Sequence, residues 1–119
     1  MIINSILHLM KIGIITIGSE LLNGTRLETN SKWIAESVAP FDCKIVSKIS
    51  LHDNEQDIVD ALDYYLSLSL DMILCTGGLG PTHDDITATT IYNYFDDTPV
   101  FDDEYWKILT SEFKKRGFN

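Results

Sequence analysis

Thr76-Gly77-Gly78-Leu79-Gly80-Pro81-Thr82-His83-Asp84-Asp85-Ile86-Thr87 follows directly on the apolar run Asp71 to Thr76, D-M-I-L-C-T. The run reads as a buried strand and the glycines as its exit turn. Asp84-Asp85 then reads as the cap of a helix that continues through Ala88, Ile91, Tyr92 and Phe95. A strand, a glycine-rich turn and a helix in this order form the repeating unit of a parallel α/β sheet.

Upstream, the same unit recurs. Lys11 to Ile17, K-I-G-I-I-T-I, is the β-branched run of a strand buried on both faces, and it ends at Gly18-Ser19-Glu20. Thr29-Asn30-Ser31 offers caps for a helix with Trp33, Ile34 and Val38 on one face, stopping near Pro40. Lys44 to Leu51 alternates as a second strand, and Asp53-Asn54-Glu55-Gln56 opens a helix carrying Ile58, Ala61, Leu62, Tyr65 and Leu66. A capped last helix is expected from about Asp103 to Arg116, closed by Gly117.

Three strands, each followed by a helix, predict a mainly parallel sheet with right-handed crossovers in a three-layer α/β sandwich. Ligands of such sheets bind outside the carboxyl ends of the strands. Gly18-Ser19-Glu20, His52-Asp53 and Gly77 to Asp85 should therefore meet in space.

At 119 residues there is room for one domain, assigned to residues 10–119, with 1–9 as an appended extension or misassigned start. Eighteen acidic against nine basic residues give a net charge of −9, so nucleic acid and anionic membranes are poor partners. The apolar N-terminus is short, without a basic start or small-residue cleavage site, and the chain is expected to be cytoplasmic. Cys43 and Cys75 lack metal or redox spacing and are expected to be reduced.

Gly77, Gly78 and Gly80 remove side chains where the chain leaves a strand, so the backbone can take positive φ and approach a ligand closely. Pro81 stiffens the far side, and the N–H groups of the following helix start would face the same spot. The pattern fits phosphate binding; it fits equally a tight turn with Asp84 as a plain N-cap. Glu20 also reads as a solvated first-turn acid and Asp53 as a simple cap. His83 reads as a surface residue, His52 and His8 carry no role, and Trp33, Tyr64, Tyr65, Tyr92 and Phe95 read as core or rim.

Taken together, G-S-E-L-L at Gly18 to Leu22, Glu28-Thr29-Asn30-Ser31, Asp53-Asn54-Glu55 and the Thr76 to Thr87 motif resemble the MoaB/Mog domain family. The likeness runs from about Met10 onward and points most closely to the N-terminal domain of CinA, the competence- and damage-inducible proteins. Leu79 with Gly80-Pro81-Thr82 fits that branch, whereas molybdopterin adenylyltransferases typically carry T-G-G-T-G.

The resemblance implies a three-layer α/β fold. It also implies binding of a small phosphorylated nucleotide, with hydrolysis of ADP-ribose or a similar dinucleotide at the pyrophosphate. Mg²⁺ or Mn²⁺ would assist. The rival implication is molybdopterin binding or adenylylation, and a third is a non-catalytic ligand-binding module. Carried over by position, Thr76, Gly77, Gly78, Leu79, Gly80, Pro81 and Thr82 would hold phosphate beside Gly18 and Ser19, with Asn30 and Thr87 in support. Asp84 and Asp85 would be catalytic metal ligands, joined by Asp53 and Glu20.

Two departures stand out. Ser19 occupies a position where Thr is usual, and the family domain continues past the last helix with further strand and a second glycine-rich stretch. One sheet edge would then stay uncovered, a template for association, so the chain is expected to form homo-oligomers.

Overall fold

A computed structural model describes residues 9–118. The expected extension, residues 1–9, lies outside them apart from Leu9. Three parallel strands form the sheet: β1 Met10–Ile17, β2 Cys43–Leu51 and β3 Met72–Thr76. Their order is β2-β1-β3, with β1 in the centre. That position explains its composition, since Ile12 to Ile17 are all buried and neither face of the strand meets water.

Helices cross between the strands and flank the sheet. They are α1 Ser19–Leu22, α2 Asn30–Val38, α3 Glu55–Ser67, α4 Thr87–Tyr94 and α5 Asp103–Lys115, with a 3₁₀ turn at Ala39–Phe41. Ile15 and Ile17 of β1 pack with Ile58, Ala61, Leu62 and Tyr65 of α3, and Ile86, Ile91 and Tyr94 close over the cluster. Of the aromatics expected in core or rim, only Tyr65 is fully buried; Trp33, Tyr64, Tyr92 and Phe95 are exposed.

Two helix starts differ from the sequence reading. α3 is capped by Asn54, whose Oδ1 accepts from Asp57 N–H at 3.1 Å, and not by Asp53. The one-residue shift frees the Asp53 carboxylate to reach across to the first loop. α4 begins at Thr87, with Ile86 in the cap position and no side-chain cap, so Asp84-Asp85 does not start it. The reason is local: the Asp85 carboxylate is held by its own loop, accepting from Thr82 N–H at 3.1 Å and the Thr82 hydroxyl at 2.6 Å. The first helical N–H, that of Thr87, donates to Gly78 O at 3.2 Å, so it does not point into a ligand space.

At the start of α2 the cap bond comes from outside the expected trio. Glu28 Oε1 accepts from Ser31 N–H at 2.8 Å, and Thr29 makes no side-chain cap.

Candidate functional site

The three strand-exit loops meet at the carboxyl edge of the sheet. Gly18 N–H donates to Leu51 O at 2.9 Å, which joins the first exit to the second. Asp53 Oδ2 then accepts from Ser19 N–H at 2.9 Å and from Ser19 Oγ at 3.2 Å, while His52 Nδ1 lies 3.3 Å from the same Oγ. Ser19 keeps the hydroxyl that this clasp needs.

The third exit crosses directly over the first. Gly77 has φ of 89°, and a Cβ there would stand 1.9 Å from Ile17 O; Gly78 follows at φ of 60°. A Cβ on Gly78 would lie 2.3 Å from Thr87 Oγ1 and 3.6 Å from Asp53 Oδ1. Gly78, Thr87 and Asp53 therefore converge from three elements. Thr87 is wholly buried, and its hydroxyl has no hydrogen-bond partner among the described residues. A buried hydroxyl left so costs about 1–3 kcal/mol.

Two clefts are lined in part by residues of this loop. One, of about 170 Å³, is lined by Glu20, Asn30, Thr76 and Gly77 together with Arg26 and Glu28. The other, of about 380 Å³, is lined by Thr82, His83 and Asp85 with Glu55, Thr89 and Asn93. The sequence reading gave Arg26 no role, although it is the only base between β1 and α2. Glu28 sits beside it, 3.2 Å from Lys48 Nζ. Burial pushes the Glu28 carboxyl up, but the bonds from Ser31 and the Lys48 ammonium outweigh it and hold the group below the usual carboxylate range.

The four carboxylates expected to gather on a metal are dispersed. Asp84 is 81% exposed and lies 3.3 Å from His83 Nε2. Asp85 is engaged by Thr82, Asp53 by Ser19, and Glu20 lines the smaller cleft. Among the described residues no group of three or more His, Cys, Asp or Glu could hold an ion. Carboxylates are the right donors for Mg²⁺ or Mn²⁺, but their placement here does not fit a preformed metal centre. Leu79, Gly80, Pro81 and Thr82 lie at the exposed tip of the loop. Gly80 leaves room for the Asp85 carboxylate, because a Cβ there would meet Asp85 Oδ2 at 2.5 Å.

The loop should respond to acid. Bonding by the Thr82 hydroxyl, then by the Gly80 and Thr82 N–H groups, holds the Asp85 carboxyl below its ordinary range. A carboxyl whose folded pKa is depressed keeps its bonds above its unfolded pKa and loses them as pH falls through the folded one. The Gly80 and Thr82 amide resonances should therefore hold steady from neutrality to roughly pH 4 and shift only below it. A shift between pH 7 and 5 would mean that Asp85 does not close the loop.

Comparison with known proteins bears on the family and the fold. The family described as "Probable molybdopterin binding domain" matches residues 13–118. A CinA-like protein of Fusobacterium nucleatum is 38% identical over 105 residues, which is 88% of this chain and 26% of that protein. The chain thus spans about a quarter of the length of this curated relative. Among solved structures, the protein CinA of Thermoplasma acidophilum superposes with a TM-score of 0.72 at 26% identity, over 91% of this chain and 62% of that one. The molybdopterin biosynthesis enzyme MoaB of Thermus thermophilus gives 0.67 at 25% identity, over 71% and 54%. The open three-stranded parallel sheet with its flanking helices is the fold that these structures share with the chain. With this match across nearly its whole length, the chain belongs to the molybdopterin-binding domain family, and CinA-like proteins are among its relatives.

Proposed function

We propose that the carboxyl edge of the sheet binds a small phosphorylated nucleotide, with ADP-ribose or a similar dinucleotide as the ligand class. The observation that carries the reading is the buried Thr87 hydroxyl, which stands without a partner against Gly78, where no side chain intrudes. A phosphate that draws the Gly78 backbone away from Thr87 would open this hydroxyl to one of its oxygens as acceptor. Arg26 at the mouth of the smaller cleft supplies a cation for a second phosphate, and Asn30 and Thr76 supply polar contacts for a sugar.

Hydrolysis of the pyrophosphate is the further activity that the CinA resemblance implies. Among the described residues the carboxylates do not gather into a group that could hold an ion. Molybdopterin is the second ligand class, favoured by the family description and by the likeness to MoaB.

The experiment is calorimetric titration of ADP-ribose and of a pterin phosphate, run on the parent and on Thr87→Val. Valine keeps the shape and removes the hydroxyl. It should raise thermal stability by about 1 kcal/mol, since a buried unpaired group is lost, and weaken nucleotide binding roughly tenfold. Unchanged affinity for both ligands would sink the proposal, whereas tighter binding of the pterin would move it to the second class. Turnover in Mg²⁺ that disappears in Asp84→Ala and Asp85→Ala would add the hydrolase activity.

A further inference from the structure

The loop between α1 and α2 opens on Asn23-Gly24, where a nucleophile, an electrophile and a leaving group are next to one another in the chain. Both residues are exposed. Asn23 Oδ1 accepts from Thr25 N–H at 3.0 Å and from the Thr25 hydroxyl at 2.8 Å, while the side-chain nitrogen of Asn23 bonds to no described residue. Those two donors draw electrons from the side-chain carbonyl. The Gly24 N–H bonds to no described residue either. Gly24 lies at φ of 79° with nothing within 4 Å of a Cβ there, so the chain is free to turn about the Asn23 Cα–C bond, now at ψ of 0°, and bring this nitrogen onto Cγ. α1 offers little resistance, having four residues and none buried.

We propose that Asn23 is a site of spontaneous modification whose product releases Arg26 from the smaller cleft. The Gly24 nitrogen, after losing its proton to solvent, attacks Asn23 Cγ. The N–Cγ bond forms as the Cγ–Nδ2 bond breaks, and the side-chain nitrogen takes up a proton and leaves as ammonia. Water then opens the five-membered imide. Cleavage at Cγ leaves an aspartyl residue at position 23; cleavage at the main-chain carbonyl leaves an isoaspartyl residue, whose backbone runs through Cβ and Cγ.

The two products act differently on Arg26. Arg26 N–H donates to Glu20 O at 3.1 Å, so the turn that starts at Asn23 sets how Arg26 enters the cleft. An aspartyl carboxylate accepts the same two Thr25 bonds and keeps the turn. An isoaspartyl link lengthens the main chain by a methylene and takes Cγ out of the side chain, so the acceptor for Thr25 is lost and Arg26 parts from α1. Where the cleft takes a phosphate, that form lacks its cation; this consequence alone rests on the nucleotide reading above. Asn30, Asn54 and Asn93 are controls: they sit in α2, at the cap of α3 and in α4, and each is followed by a residue with a side chain. The N–H after Asn30, that of Ser31, is held by Glu28 Oε1 at 2.8 Å.

The test ages the 119-residue chain at neutral and at mildly alkaline pH, then digests it with trypsin. Cleavage after Lys11 and Arg26 gives a peptide in which Asn23 is the only asparagine. The mass gain of an amide becoming an acid is expected there, faster at the higher pH because Gly24 must lose its proton, and absent from Asn30, Asn54 and Asn93 over the same period. Asn23→Gln should remove it. By NMR the Arg26 amide of the aged protein should exchange with solvent several-fold faster than in the fresh protein, and in Asn23→Asp at the parental rate. Protein isoaspartate methyltransferase, which returns isoaspartyl links to aspartyl, should restore the slow exchange. An Asn23 that converts no faster than the other three overturns the site, and an isoaspartyl chain whose Arg26 amide exchanges at the parental rate overturns the release. Neither readout needs a ligand, so a parent that binds no ADP-ribose refutes the nucleotide reading and not this one.

Discussion

Gly77→Ala should lower stability by roughly 2–4 kcal/mol and abolish nucleotide binding, although it adds one methyl group. Two costs combine. Alanine at φ of 89° carries the steric penalty of a conformation that L-residues rarely adopt, and its Cβ would stand 1.9 Å from the Ile17 carbonyl oxygen. That oxygen belongs to the central strand, so it cannot swing aside as a flexible side chain would. Either the loop lifts or the end of β1 shifts, and both moves separate Gly78 from Asp53 and Thr87. For a domain of this size the loss should appear as a fall of roughly 10–20 °C in the melting temperature. Gly117→Ala is the control. Gly117 also has positive φ, at 79°, but nothing lies within 4 Å of a Cβ there, and it ends a helix with no buried residue. Alanine there meets the conformational penalty alone, so the melting temperature should fall far less than in Gly77→Ala. Gly78→Val puts a β-branched residue at φ of 60° with its Cβ 2.3 Å from the buried Thr87 hydroxyl, so it should lose ligand affinity and stability together. Parental melting and binding in Gly77→Ala would mean that the loop crosses β1 more loosely than this.

The strands could be read from the sequence to within a residue, because a central parallel strand admits little but β-branched residues and Ile12 to Ile17 is such a run. The meeting of the three exit loops followed from topology alone: parallel strands place their carboxyl ends together whatever the loops contain. What the sequence could not decide was which partner each carboxylate takes. Asp53 and Asn54 are both competent caps, and the choice of Asn54 frees Asp53 to clasp Ser19. Asp84-Asp85 looks like a helix start, but a turn that closes on Thr82 absorbs Asp85 before the helix begins at Thr87. Local propensity favours an Asp at either place, and only the loop's three-dimensional path separates them. The metal set implied by resemblance depends on the same choices: Asp53 is bonded to Ser19 and Asp85 to Thr82, so two of the four carboxylates already have protein partners. Thr87, assigned a supporting role, holds one of the two buried hydroxyls without a partner among the described residues, the other being that of Ser31, a property of packing that no residue pattern displays.

Tyr65→Ala should cost about 3–5 kcal/mol, the range for deleting a large buried aromatic side chain. Tyr65 is fully buried between Ile15, Ile17, Ile58 and Leu62, and among the described residues it is the only aromatic in that state. Its hydroxyl donates to Ile14 O at 3.1 Å and lies 3.1 Å from Ser47 Oγ, so one side chain on α3 ties both β1 and β2. Gly13 provides the socket, because a Cβ there would come within 2.8 Å of the ring. Burial pushes the phenol's pKa above its ordinary value, so the donor stays protonated throughout the neutral range. Small domains have only about 5–15 kcal/mol in total, and truncation at this point should leave much of the population unfolded at 37 °C. Tyr65→Phe keeps the ring and gives up the hydrogen bonds, for a loss of about 1–1.5 kcal/mol. Urea unfolding resolves the two, and ligand titration adds the link to function. Tyr65→Phe should bind nucleotide as the parent does, since Gly18, Asp53 and Gly77 keep their places. Tyr65→Ala should bind only in proportion to its folded fraction, because those loops hang from the strands that Tyr65 holds together. If Tyr65→Ala unfolded at the parental urea midpoint, the core would lie elsewhere, and the site would rest on the loop contacts alone.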